Sequence, residues 1–129
     1  MTCLLDTHIA YWWMIEPDRI TPALRTLIID GGERMMVSHV SLWELVVKRS
    51  AGKLRLDIAR FEREISAAGF EWLAVTPDHA LACDALPVQA DHRDPFDRLL
   101  VAQAMSERMT LLTADRVLAI YGPTVRLVC

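Results

Sequence analysis

Long apolar runs, paired cysteines and a strong excess of either charge are all missing from this sequence. The longest uninterrupted apolar stretch runs from Ile9 to Ile15, far short of the ~20 residues a membrane-spanning helix needs. Asp6 falls where a signal peptide would carry its basic and apolar regions, so no secretion signal is expected. The three cysteines, Cys3, Cys83 and Cys129, are odd in number and form no CxxC pair. That excludes a disulfide framework and points to a reduced, cytoplasmic compartment. Fourteen basic residues stand against seventeen acidic ones, a net charge of −3. A histone-like or ribosomal composition is thereby excluded, and any contact with nucleic acid must run through a local basic patch or a bound cation. No internal repeat, low-complexity stretch or linker interrupts the chain.

What the sequence does contain is apolar surface. Of its 129 residues 53% are hydrophobic and 24% charged, which excludes intrinsic disorder. The length suits a single domain over 1–129, able to bury about two-thirds of its unfolded surface without staples. The apolar share is high for so small a domain. Two sheet faces covered by helices would use it, and so would a partner-binding surface.

Short apolar segments predict strands at 2–5, 35–38, 70–75 and 110–113, with a possible edge strand at 124–128. Helices are predicted at 7–15, 22–30, 41–51, 57–68, 77–85 and 95–108, with a short one after Asp115. Thr21-Pro22 starts the second helix, and Gly31-Gly32, Gly52 and Gly69 follow helix ends. Residues 86–94 read as a loop. Alternating strands and helices imply βαβ units, hence an α/β fold with a parallel sheet covered on both faces.

The acidic residues then acquire a pattern. Asp6 follows the first strand, Glu44 lies one turn into the helix after the second, Asp94 and Asp97 open the long helix, and Asp115 follows the fourth strand. In an open parallel sheet all strand C-termini lie along one edge, where ligands bind. The long helix runs antiparallel to the strand it precedes, so its start lies at that edge too. Each acid is separately readable as a helix cap. Asp6, Asp94 and Asp115 suit N-caps, and Ser41-Leu42-Trp43-Glu44 suits a capping box. Caps need not be acidic, however, and clustered like charges repel. A bound divalent cation resolves that repulsion. An oxygen-only ligand set favours Mg²⁺ or Mn²⁺ over zinc, and such a site activates water and clamps a phosphoryl group.

Four stretches carry a resemblance. They are Leu4-Leu5-Asp6-Thr7-His8, Ser41-Leu42-Trp43-Glu44, the run from Asp94-Pro95-Phe96-Asp97-Arg98 through Ala104, and Leu112-Thr113-Ala114-Asp115. In this order and spacing, nearly the whole chain resembles the PIN-domain ribonucleases, in particular the VapC-type toxins of bacterial toxin–antitoxin pairs. The resemblance implies a three-layer α/β/α sandwich with a mostly parallel sheet of four to five strands. It also implies an endoribonuclease that cuts RNA with Mg²⁺ or Mn²⁺ and is held by a small antitoxin. By position, Asp6, Glu44 and Asp97 match the family's core acids, Asp115 its variable fourth acid, and Thr113 a hydroxyl that steadies the site. Asp94 is usual in the subgroup with Asp-Pro-Phe-Asp-Arg, as a ligand or a residue behind the ligands. Thr7 is placed with Thr113 behind the acids.

On this reading Asp6 and Asp97 bind metal directly. Glu44 binds through water or orients the attacking water, and Asp115 completes the shell or holds a second ion. Arg93 and Arg98 flank the acids and suit a substrate phosphate, with a structural role as partner of a neighbouring acid the equal alternative for Arg98. Lys48 belongs to a stretch, 48–64, with six basic residues against three acidic ones, where RNA backbone contacts compete with a plain solvated helix face. His8 and His92 border the crevice. Trp43 reads as core. Tyr11, Trp12, Trp13 and Met14 are too many large neighbours for one helix face, which points to a homodimer or a partner there. Rival readings are a housekeeping PIN nuclease without an antitoxin, an aspartyl phosphatase (disfavoured by His8 where a second acid is usual), and a non-catalytic binding module. A kinase loop at His92-Arg93-Asp94 is rejected, because Leu99 stands where that loop needs asparagine.

Overall fold

The computed structural model describes residues 1–88 and 94–128. Five strands form one parallel sheet: β1 (Thr2–Leu5), β2 (Arg34–Ser38), β3 (Glu71–Leu73), β4 (Thr110–Thr113) and β5 (Val125–Leu127), in the order β3-β2-β1-β4-β5. Six α-helices accompany them: α1 (Thr7–Ile15), α2 (Pro22–Asp30), α3 (His39–Ser50), α4 (Ile58–Ala67), α5 (Pro77–Ala85) and α6 (Pro95–Glu107). Two 3-10 turns, Pro17–Arg19 and Arg116–Tyr121, complete the described residues.

Strand alternation builds the three layers. Cys3 and Leu5 of β1, Met35 and Val37 of β2, and Leu112 of β4 point into one core with Ile9, Leu24, Phe61 and Ile65 from α1, α2 and α4. Leu4, Met36 and Leu111 point the other way, into a second core with Leu100, Val101 and Ala104 of α6. Burial on both faces is why these strands are continuously apolar. The α/β/α sandwich expected from the sequence is therefore observed.

Some boundaries differ, for physical reasons. β3 is an edge strand paired only with β2, and it is three residues long where six were expected. α3 begins at His39, because the Ser38 hydroxyl accepts from the Val40 amide and caps the helix. Ser41 is thus inside the helix, and the Ser41–Glu44 capping box is not formed. Trp43, expected in the core, is 59% exposed. The four large residues Tyr11–Met14 are all partly buried against the first core. Trp13 meets Phe70 edge-on at 5.9 Å, and Arg19 lies over Trp12 at 5.4 Å. Tyr11 and Trp12 also line an open groove with Arg19, Lys48 and Lys53. Among the described residues, no helix is long and apolar enough to cross a membrane.

The chain moves outward from β1 to β2 to β3, then returns to place β4 on the other side of β1. The reversal opens a crevice at the C-terminal ends of β1 and β4.

Candidate active site

Asp6 leaves β1 at that reversal. Its backbone N–H donates to Leu112 O of β4 at 2.9 Å, and the residue is 1% exposed. Oδ1 accepts from the Thr7 amide at 2.7 Å, and Oδ2 accepts the Thr113 hydroxyl at 2.6 Å. Thr113 in turn accepts from the Asp115 amide at 3.0 Å. Thr113 thus ties the end of β4 to the carboxylate at the end of β1. Charge-assisted bonds of this kind fix a carboxylate's orientation.

Glu44 enters from α3 and is 2% exposed. Thr7 Oγ1 lies 2.7 Å from Glu44 Oε1 and 2.8 Å from Ser41 Oγ. A carboxylate only accepts, so Thr7's single proton goes to Glu44 and the Ser41 hydroxyl serves Thr7's lone pair. The adjacent Asp6 and Thr7 therefore hold two branches of the site, one to β4 and one to α3. Sequence reasoning missed Ser41's part in this. The available signal was its position one helical turn before Glu44, which puts both on one face.

Lys48, one turn further along α3, places Nζ 2.7 Å from Glu44 Oε2. Its expected RNA contact starts from this ion pair. His8 is exposed, with Nδ1 4.0 Å from Asp6 Oδ2. That contact raises the imidazole pKa above its ordinary value, while burial and Lys48 oppose the shift.

Asp97 lies in the first turn of α6 and is 9% exposed. Its amide donates to Asp94 Oδ1 at 3.1 Å, and the same oxygen accepts from Phe96 N at 2.9 Å. Asp94 is exposed and acts as the N-cap, the bland alternative for it. Asp115, half-buried, caps the 3-10 turn by accepting from Val117 N at 3.0 Å.

Arg98 Nη1 donates to Pro87 O at 2.8 Å and to Tyr121 Oη at 3.3 Å, while Nη2 donates to Cys83 O at 3.4 Å and Leu86 O at 3.3 Å. These carbonyls lie at and just beyond the C-terminal end of α5, the negative end of its dipole. Arg98 thus holds a helix end. Arg93 and His92 lie outside the described residues. Arg60 pairs with Glu64 one turn on at 2.8 Å, a solvated helix-face pair.

A buried polar chain braces the helices behind the acids. The Ser38 hydroxyl donates to Gln103 Oε1 at 2.5 Å, Gln103 Nε2 lies 3.3 Å from His79 Nδ1, and His79 Nε2 lies 3.0 Å from Glu107 Oε2. Among the described residues every buried side-chain nitrogen and oxygen has a partner.

The donor chemistry of Asp6, Glu44 and Asp97 is all oxygen, which suits a hard divalent cation. Among the described residues no three His, Cys, Asp or Glu side chains converge as a ligand group as they stand. Glu44 is turned onto Thr7 and Lys48.

The PIN-domain family model matches residues 3–122. Ribonuclease VapC22 of Mycobacterium tuberculosis is 32% identical over 117 residues, covering 89% of this chain and 88% of that protein. The fold is similar to that of VapBC2 from Rickettsia felis bound to a fragment of promoter DNA, with a TM-score of 0.70 at 16% identity over 98% of this chain and 97% of that one. It is also similar to VapBC-1 from nontypeable Haemophilus influenzae, with a TM-score of 0.62 at 19% identity over 98% and 96% of the two chains.

Proposed function

The chain belongs to the PIN-domain family, among its VapC-type members, and from that premise we propose that it is a divalent-metal-dependent endoribonuclease. We read it as the toxin of a toxin–antitoxin pair, acting as one domain over 1–129. The observation that carries the reading is the pair of hydrogen-bonded branches at the sheet's reversal: Asp6 held by Thr113 at 2.6 Å, and Glu44 held by Thr7 at 2.7 Å. Evolved caps do not need a second hydroxyl aimed at them from a neighbouring strand or helix. A site that must present carboxylate oxygens in a fixed direction does.

Asp6 and Asp97 are assigned as direct ligands of Mg²⁺ or Mn²⁺, with Glu44 beside them and Asp94 and Asp115 at the rim. A bound cation there would acidify water and offset charge on the scissile phosphate. The protein's own part is orientation. Thr113 and the Thr7 amide leave Asp6 few directions in which to turn, and Thr7 does the same for Glu44. The Lys48 ammonium neutralises Glu44 and remains close enough to meet a phosphate instead. Burial keeps the carboxylates dry, which strengthens every charge interaction made there.

An antitoxin is the expected partner, and a homodimer the expected assembly. Expression of the chain alone in a bacterium should arrest growth, and the adjacent gene should relieve the arrest. Asp6→Asn should be harmless and should lose both RNA cleavage and metal-induced thermal stabilisation. A cleavage-competent Asp6→Asn protein in chelator-cleaned buffer would refute the assignment.

A further inference from the structure

Three side chains of α6, the helix that carries Asp97, take hold of different elements along its length. Near its start Arg98 grips the carbonyls at the C-terminal end of α5. At its end Glu107 lies 3.0 Å from His79 Nε2, in the first turn of α5. Between them Gln103, fully buried, reaches Ser38 at the start of the other acid-bearing helix, α3.

The protons in this chain run one way. Ser38 Oγ accepts from the Val40 amide that it caps, and its own proton goes to Gln103 Oε1. The Thr76 amide donates to His79 Nδ1 at 3.0 Å, which leaves the ring proton on Nε2 for Glu107. Gln103 Nε2 then donates to Ala74 O at 3.4 Å and to His79 Nδ1 at 3.3 Å. Turning the amide over would set its oxygen against two acceptors, so Gln103 has one orientation only.

Stability does not call for such a chain. Apolar side chains of the same shape would fill this core without the cost of drying an amide, a hydroxyl and an imidazole. Val40, Leu100, Val101 and Ala104 already pack the second core. Their contacts are non-directional, and packed helices can slide across them. A hydrogen bond fixes a distance and a direction. Here it fixes the cap of α3 against the middle of α6. Glu44 lies six residues after Ser38, and Asp97 six residues before Gln103, each about 9 Å along its helix from the bond. A slide at the bond therefore reaches both acids, whereas a metal site tolerates only ~0.2 Å in its ligand distances.

We propose that Gln103 is a positioning residue: by holding Ser38 it sets the separation of Glu44 and Asp97, and with it the affinity of the site for a divalent cation. The assignment rests on the metal-dependent reading.

The test titrates Mn²⁺ alone into the full chain, cleared of metal by chelation, with binding read by isothermal titration calorimetry. Gln103→Met keeps the volume and removes the amide. Its Mn²⁺ affinity should fall about ten- to a hundred-fold, the scale for losing the support behind a metal ligand. Ser38→Ala should do the same, and adding it to Gln103→Met should cost little more, because both break one bond. Ser38→Thr keeps the hydroxyl and should bind Mn²⁺ as the wild type does. Ile65→Val lowers stability in the first core, on the other face of the sheet, and should also leave Mn²⁺ affinity unchanged. Gln103→Asn, one methylene short of Ser38, carries the test if Gln103→Met does not fold by circular dichroism. Wild-type affinity in the folded Gln103 variant, or an equal loss in Ile65→Val, overturns the positioning role and leaves the metal reading standing. A loss in Ser38→Thr as large as in Ser38→Ala does the same. A wild type that binds no Mn²⁺ overturns both.

Discussion

Replacing Glu44 by glutamine separates what its charge does from what its shape does. The variant keeps a carbonyl oxygen for the Thr7 hydroxyl, now 2.7 Å from Oε1. It loses the negative charge facing Lys48 and turns an amide N–H₂ toward that ammonium. Breaking a fully buried ion pair costs ~3–5 kcal/mol, and an exposed one is worth ~0–1 kcal/mol. This pair lies between, because Glu44's side chain is 3% exposed while Lys48's is 32% exposed. Lys48 can swing into the groove and regain water, so the expected loss without metal is about 1–2 kcal/mol. In a domain of this size that is a melting-temperature drop of ~3–8 °C. With Mg²⁺ the two proteins should diverge further, because a ligand at a hundred times its Kd stabilises the folded state by about 2.7 kcal/mol. The variant should gain less than the wild type. RNA cleavage should fall by about two orders of magnitude, the scale for removing one preorganised electrostatic group. Urea unfolding in chelator and in Mg²⁺, run beside a cleavage assay, measures all three quantities. A variant as stable and as active as the wild type would leave Glu44 with no role. A loss above ~4 kcal/mol would mean that Lys48 cannot leave, and the account of the pair would be wrong.

Thr113→Val removes the proton given to Asp6 and the acceptor for the Asp115 amide. It should cost roughly 1.5–3 kcal/mol and lower cleavage, read by urea titration and turnover; unchanged turnover would detach Thr113 from the site. Arg98→Met should lower stability by about 2–4 kcal/mol with KM for RNA unchanged, because its partners are carbonyls of its own chain. A raised KM at unchanged stability would return Arg98 to the substrate. Burial, reinforced by the Glu33 carboxylate that accepts its S–H, pushes the Cys3 thiol up to about 12. Native protein treated with iodoacetamide at pH 8 should therefore be modified at half-buried Cys83 and not at Cys3, where only about one thiol in ten thousand is ionised. Peptide mass mapping decides this, and prompt labelling of Cys3 would contradict its burial.

The positions of the acids were legible because a parallel sheet has one C-terminal edge. An acid that follows a strand, or opens a helix running back to the strand's start, has to be there. The partners were less legible. Glu44 carried a capping role beside its candidate one, and Ser38 takes the cap through its bond to Val40 N. Nothing local distinguishes two nearby serines before the helix is built. The partners of Arg98 were not legible, because carbonyls at the end of another helix carry no sequence signature, whereas flanking acids do. Trp43 was read as core from its type alone. It lies on an exposed face of α3, and a single helix pattern cannot say which neighbour will cover which face. The Gln103–His79–Glu107 chain was invisible for the same reason, since its members meet only through tertiary packing.

The sheet order also sets a schedule for synthesis. β1 leaves the ribosome before the strands that flank it, yet it lies at the centre, and its β4 neighbour is encoded about a hundred residues later. At ~5–20 residues per second, Asp6 waits roughly 5–20 s for Asp97 and Thr113 to exist. A nascent chain therefore carries the first acid, and soon Glu44, with one edge of β1 still unpaired and the carboxylate unsupported. An enzyme that attacks RNA is assembled beside the ribosome's own RNA and beside its message. Here α6 and β4, which complete the site, follow β1 by about a hundred residues, so catalytic competence waits until they have been made.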